Sequence, residues 1–203
     1  MMSRKTRKEV ISEFRTGEIL EAARAVFGRK GFYAATVDDI AAEAGVSKGT
    51  VYLYYSSKNE IYWAALKHGV GALLEMLRRE LENAGTVKEK VHRFIALKIR
   101  YFHENRDFFK IYLSEFGNTF CHPAHFQKEF HELYRKQACI LKEVLEEGTR
   151  QKSIRNIPSE AVAYAISDLT RSVITHRLLN WSKRRIQDEI RFIFDLVWKG
   201  IEP

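Results

Sequence analysis

Apolar positions along this chain recur at helical spacing almost throughout. The set Ile19, Leu20, Ala23, Val26 and Phe27 falls on one helical face, and Gly31, free to take a positive φ, stands where that helix should stop. Upstream, Ser3 to Arg15 is polar and basic, which predicts an arm over residues 1–15. Thr36 reads as the N-cap of a second helix with Asp38 and Asp39 in its first turn and Ile40, Ala41 and Ala44 facing inward. Gly45 ends that helix, and Ser47 caps a third, short one through Thr50, Val51, Tyr52 and Tyr55.

Longer helices follow. Ser57 to Glu60 is a capping box opening a helix through Ile61, Ala65, Val70, Leu73, Leu74, Leu77 and Leu81, expected to end near Asn83. Thr86 to Glu89 is a second capping box, leading into Val91, Phe94, Ile95, Leu97, Ile99, Tyr101 and Phe102. A short aromatic helix is predicted over Arg106 to Phe116, then a break at Gly117, Asn118 and Pro123. The helix through Phe126, Phe130, Leu133, Ala138, Leu141, Val144 and Leu145 should stop at Gly148. Pro158 and Ser159 open the next, with Val162, Ile166, Leu169, Val173, Ile174 and Leu178, and the last carries Ile190, Ile193, Phe194, Val197 and Trp198. The fold class expected is all-α, about nine helices, with a three-helix unit over 16–60 and a larger helical domain over 61–203.

Composition agrees with a folded body: 45% hydrophobic and 30% charged residues, with only three prolines in 203 residues. The net charge of +8 and pI near 9.4 favour an acidic partner, nucleic acid first and an anionic membrane surface second. Met1 to Lys8 contains four basic residues with no apolar stretch behind it, and no segment approaches about 18 uninterrupted apolar residues. A cytoplasmic protein is expected. Cys121 and Cys139 are the only cysteines and read as two reduced thiols. The stretch Cys121-His122-Pro123-Ala124-His125, with His131, lacks the paired spacing of a metal site, so neither metal nor cofactor is expected.

The chemistry-bearing stretch is Ile40-Ala41-x-x-Ala44-Gly45-Val46-Ser47-Lys48-Gly49-Thr50-Val51-Tyr52, which has helix-turn-helix spacing. Ala41 and Ala44 let two helices cross closely, Gly45 turns the chain, Val46 plugs the core and Ser47 caps the second helix. Lys48, Gly49, Thr50, Tyr52 and Tyr54 are then presented where a recognition helix meets base edges and phosphates. Gly49 costs about 1 kcal/mol against Ala but lets backbone approach a duplex. With Gly31-Phe32 ahead of Thr36, and Tyr54-Tyr55-x-x-Lys58-x-Glu60 behind, the stretch resembles the signature of TetR/AcrR-family regulators over about Gly17 to Leu66. The resemblance implies three DNA-binding helices, a fourth joining them to a ligand domain, and two C-terminal helices forming a homodimer. It implies Thr36, Val37, Lys48, Gly49, Thr50, Tyr52, Tyr54 and Lys58 as the residues on double-stranded DNA, Lys58 on a phosphate. Tyr55 departs from the family's usual Phe.

Aromatic residues crowd the second half, and Phe94, Tyr101, Phe109, Tyr112, Phe116, Phe130 and Tyr134, with Arg171, are the candidate ligand contacts. An acyl chain or acyl-coenzyme A, a multidrug-like cation and an aromatic metabolite all fit such a lining. Ile166, Val173, Ile190, Phe194 and Val197 lie on faces too apolar for a chain end and are the candidate dimer contacts. Gly69 and Gly71 interrupt the fourth helix, either for close packing or as a compliant point. Two other classes compete. An enzyme finds no support, since no phosphate-cradling Gly loop, nucleophile elbow or HExxH occurs. A membrane-surface protein rests on the basic arm and on Arg184 and Arg185, and the helix-turn-helix argues against it.

Overall fold

The computed structural model describes residues 6–118 and 124–203. Among the described residues the chain forms nine helices and no strand: α1 Arg7–Ala34, α2 Val37–Glu43, α3 Lys48–Tyr52, α4 Lys58–Glu82, α5 Val87–Glu104, α6 Arg106–Asn118, α7 Ala124–Arg150, α8 Ser159–Leu178 and α9 Ile186–Ile201. None of these helices is long and apolar enough to cross a membrane. The helices fall into two compact units. One takes the residues up to Gly69 together with Asp107–Ser114, and the other takes Val70–Arg106 and Glu115–Pro203.

In the first unit, Ile19, Ala23, Ile40, Val51, Ile61, Ala65 and Leu66 are fully buried, as their spacing requires. The expected arm is corrected: α1 begins at Arg7, because Thr6 and Glu9 form a capping box and Arg15 pairs with Glu18 at 2.8 Å. The helix's apolar residues Ile11 and Phe14 are mostly exposed. Gly31 sits at φ 74°, ψ 167°, breaking α1 shortly before its end, as the sequence required of it. Gly28 is where α1 meets the segment Asp107–Ser114: a Cβ there would lie 2.3 Å from Asp107 Cβ and 2.6 Å from its Cα.

In the second unit α5 packs against α7, α8 and α9, and α7 also packs against α8. Two sequence expectations change here. Helix α7 runs through Gly148 to Arg150; the glycine is needed because a Cβ would stand 2.8 Å from Val87 Cγ1 and 3.1 Å from Ile154. The dimer candidates Ile166, Ile190 and Val197 are buried within their own chain, since α8 packs on α7 and α5 and α9 packs on α5. Val173 and Phe194 are half-buried. The apolar stripe that α9 turns outward is instead Phe192 and Leu196, 53% and 52% exposed. At the start of α9, Arg177 on α8 pairs with Glu189 at 2.8 Å, both largely buried, and Ser182 Oγ donates to the same carboxylate.

Candidate nucleic-acid interface and ligand site

The helix-turn-helix is set by local hydrogen bonds that its sequence dictates. Thr36 Oγ1 accepts from Asp39 N at 3.1 Å, and Asp39 Oδ2 accepts from Thr36 N at 3.0 Å, so α2 opens on a reciprocal capping box. Gly45 at φ 64° makes the turn, Val46 N donates to Ala41 O at 2.9 Å, and Ser47 Oγ accepts from Thr50 N at 3.1 Å to start α3. Ion pairs tie the three helices together: Arg29 to Glu43, Lys30 to Asp39 at 2.8 Å and Lys48 to Asp38 at 2.7 Å. The Lys30 hydrogen bond, with those from Thr36, holds the Asp39 carboxyl down to about 2. Lys48 and Asp38 are both well exposed, so their pair is weak and Lys48 is available to a phosphate. Gly49 and Tyr52 are exposed beside it, with Thr50 and Tyr54 half-buried. A Cβ at Gly49 would meet only Ser47 Oγ, at 3.7 Å, so packing gives no reason for the glycine.

Six of the eight candidate ligand contacts lie in the second unit, and four of these form one cluster. The Phe116 ring stands edge-on to Phe130 at 5.0 Å and to Tyr134 at 5.2 Å between centroids, and the Arg171 guanidinium lies 4.1 Å over it. Tyr134 also meets Tyr164, and its hydroxyl donates to Asp168, which Arg171 bridges at 2.8 Å. Burial pushes the Asp168 carboxyl up, but the hydrogen bonds from Tyr134 and Arg171 outweigh it and hold the group low. Beside these sits Lys98 of α5, only 1% exposed, donating to Ser167 O at 3.4 Å with its Nζ 5.7 Å from the Phe94 ring. Burial drives its amine down to about 7, against the pull of Asp168 and with the push of Arg171. Phe109 and Tyr112 belong to the first unit, where they pack with each other in its buried interior.

A sequence profile described as bacterial regulatory proteins, tetR family, matches residues 19–65, the span of α1 to early α4. The HTH-type transcriptional regulator YfiR of Bacillus subtilis (strain 168) is 43% identical over 82 residues, 40% of this chain and 40% of that protein. The TetR family transcriptional regulator PfmR from Thermus thermophilus superimposes with a TM-score of 0.71 at 25% identity, over 91% of this chain and 99% of that one. Residues 19–65 carry the helix-turn-helix of the TetR family. A third likeness, to the transcriptional regulator FadR from Bacillus subtilis solved in complex with stearoyl-CoA, extends over 92% of this chain and 99% of that one, with a TM-score of 0.77 at 22% identity. That identity speaks for the shared fold. The chain spans about two fifths of the length of the curated relative YfiR.

Two of the expected DNA contacts are placed otherwise than the resemblance implied. The Val37 side chain is 7% exposed and packs into the first unit's core, so it does not face outward. Lys58 gives its ammonium to three backbone carbonyls, Phe32 O at 2.8 Å, Tyr33 O at 3.2 Å and Ala35 O at 2.9 Å, and lies 4.6 Å over the Phe32 ring. These are the carbonyls freed where Gly31 breaks α1, so Lys58 serves as their cap rather than as a phosphate contact. Lys58→Met should lower stability by about 1–3 kcal/mol by orphaning those acceptors, while the salt slope of DNA binding stays at its wild-type value. Denaturant melts and binding isotherms across salt check both, and a flatter slope would return Lys58 to the phosphates. Sequence reading did not single out two apolar side chains that this unit leaves in water, Tyr33 near the end of α1, 93% exposed, and Leu53 at the C-cap of α3, 81% exposed. It also missed Lys98, a lysine one turn past Phe94 on the apolar face of α5. The Cys121-His122 stretch lies outside the described residues, and among the described ones no group of three or more His, Cys, Asp and Glu gathers to hold a metal ion.

Proposed function

We propose that this protein is a cytoplasmic, ligand-responsive transcriptional regulator, not an enzyme, that grips operator DNA as a homodimer and changes its grip when a small apolar or aromatic effector occupies the second unit. The observation that carries the reading is the α2–Gly45–α3 turn with Lys48, Gly49, Thr50 and Tyr52 presented on one side of α3. The complex of FadR with stearoyl-CoA supports an acyl effector for a relative of this fold, and the ring cluster about Phe116 supports an apolar body for this one. Release from DNA follows if the effector favours one of two separations of the heads, through a coupling of about 1–3 kcal/mol.

Phe192 and Leu196 on α9, with Trp181 nearby in the chain at 71% exposure, supply the outward apolar stripe that a second copy would cover. Selection of operators from a random DNA library tests the reading. Wild type is expected to enrich a near-palindromic site. Thr50→Ala and Tyr52→Ala should change the preferred bases, and a Phe192→Glu, Leu196→Glu chain should sediment as a monomer with binding weakened at least about a hundredfold by loss of the second half-site. Enrichment of no sequence by wild type would defeat the proposal.

A further inference from the structure

On the reading that the second unit holds the effector, its side chains say what the effector must carry. Lys98 has three N–H donors and spends one, at 3.4 Å, on a carbonyl that already accepts from Thr170 Oγ1 at 2.8 Å. Two further polar atoms nearby are buried and without a hydrogen-bond partner: Ser167 Oγ and Arg171 Nε. Unmet donors in a buried setting cost stability, so a protein that keeps three together has a reason to.

Lys98 also lacks an acidic partner. Asp168, on α8, is taken by Arg171 at 2.8 Å and by the Tyr134 hydroxyl, and among the described residues no carboxylate forms an ion pair with Lys98. Arg171 is already turned to Asp168 by one nitrogen and stacked over Phe116, which leaves Lys98 and Ser167 as the groups without a full complement. Unspent donors and an amine without an acidic partner select an anion, and they disfavour the cationic class of effector that aromatic lining alone would also admit.

We propose that the effector is a monocarboxylic acid with an apolar body, its carboxylate accepting hydrogen bonds from Lys98 Nζ and Ser167 Oγ, and its body lying against Phe94 and the Phe116–Phe130–Tyr134 rings. The carboxylate supplies the acceptors and the acidic partner that Lys98 lacks. Binding also holds the proton on Lys98, whose amine burial has weakened, so affinity grows as pH falls through neutrality.

Calorimetric titration of the full chain with octanoate, octanol and octylamine tests this, because the three probes share a body and differ in head. Octanoate should bind at least about tenfold more tightly than octanol, with octylamine weakest. The preference should grow from about pH 8 to about pH 6, vanish in Lys98→Met, shrink in Ser167→Ala, and persist in Lys98→Arg without its pH dependence. Thermal melts establish that each variant is folded. Octanol matching octanoate, or Lys98→Met keeping the preference, would overturn the proposal and leave the effector reading standing. No heat from any of the three probes, at concentrations where operator DNA binds, would overturn both.

Discussion

Gly69→Ala should destabilise the protein while Gly71→Ala, two residues on, should stabilise it. Both glycines lie inside α4, where each costs about 1 kcal/mol relative to Ala, and sequence alone left open whether packing or compliance retains them. The structure separates them. A Cβ at Gly69 would lie 2.4 Å from Phe108 Cε2 and 2.6 Å from Cζ, and Phe108 is 2% exposed, so its ring has no open side to retreat into. A Cβ at Gly71 would meet nothing within 4 Å. Overpacking of about 1–3 kcal/mol therefore outweighs the helix gain at Gly69, and at Gly71 the gain of about 1 kcal/mol stands alone. Gly28→Ala should be the most damaging of the series, at about 3 kcal/mol, because it meets Asp107 Cα and O, and backbone cannot rotate away as a side chain can. Urea melts of the three variants check the order Gly28, Gly69, wild type, Gly71. An unchanged midpoint for Gly69→Ala would show that Phe108 yields, and would restore compliance as the reason for that glycine.

The local signals were the most legible. Thr36, Gly45, Ser47 and Thr86 act within three or four residues of themselves, and each does in the structure what its type and spacing require. At Ser57 the agreement is partial: its Oγ accepts from Glu60 N, but the Glu60 carboxylate reaches Ser56 instead, one residue earlier. The capping box Thr6 to Glu9 was equally visible and went unread, because the basic residues around it were taken for an arm. Periodicity tells which residues turn away from water but not what covers them. Ile190 and Val197 were rightly apolar and wrongly assigned to a second copy, when α5 of the same chain is what they pack beneath. Phe109 and Phe116 share a helix and an aromatic character, yet fall in different units, a division set by tertiary contacts with no trace in spacing. Lys98 was lost for a related reason. A lysine within an apolar period looks like an interruption of the pattern, and only burial reveals it as a member.

Lys98→Met should raise stability at neutral pH and remove a pH dependence that wild type shows on the alkaline side. In the fold the amine is driven from its ordinary 10.5 to about 7, chiefly by burial. Between those two values the unfolded chain binds a proton at Lys98 that the folded chain does not, so wild type gains stability as pH rises through the window, by about 1 kcal/mol per unit. Below pH 7 both states hold the proton and the slope from this group vanishes, leaving the full cost of a buried charge. Methionine fills similar volume with nothing to desolvate. The variant should therefore be more stable than wild type by about 1–4 kcal/mol at pH 7, with the two curves converging toward pH 10. Urea melts of both chains across that range give the comparison directly. Parallel curves would mean that Lys98 keeps its proton in the fold, held by a countercharge strong enough to offset burial. The amine would then have no need of an acid to complete it, so the stability curve also bears on whether the site waits for a ligand.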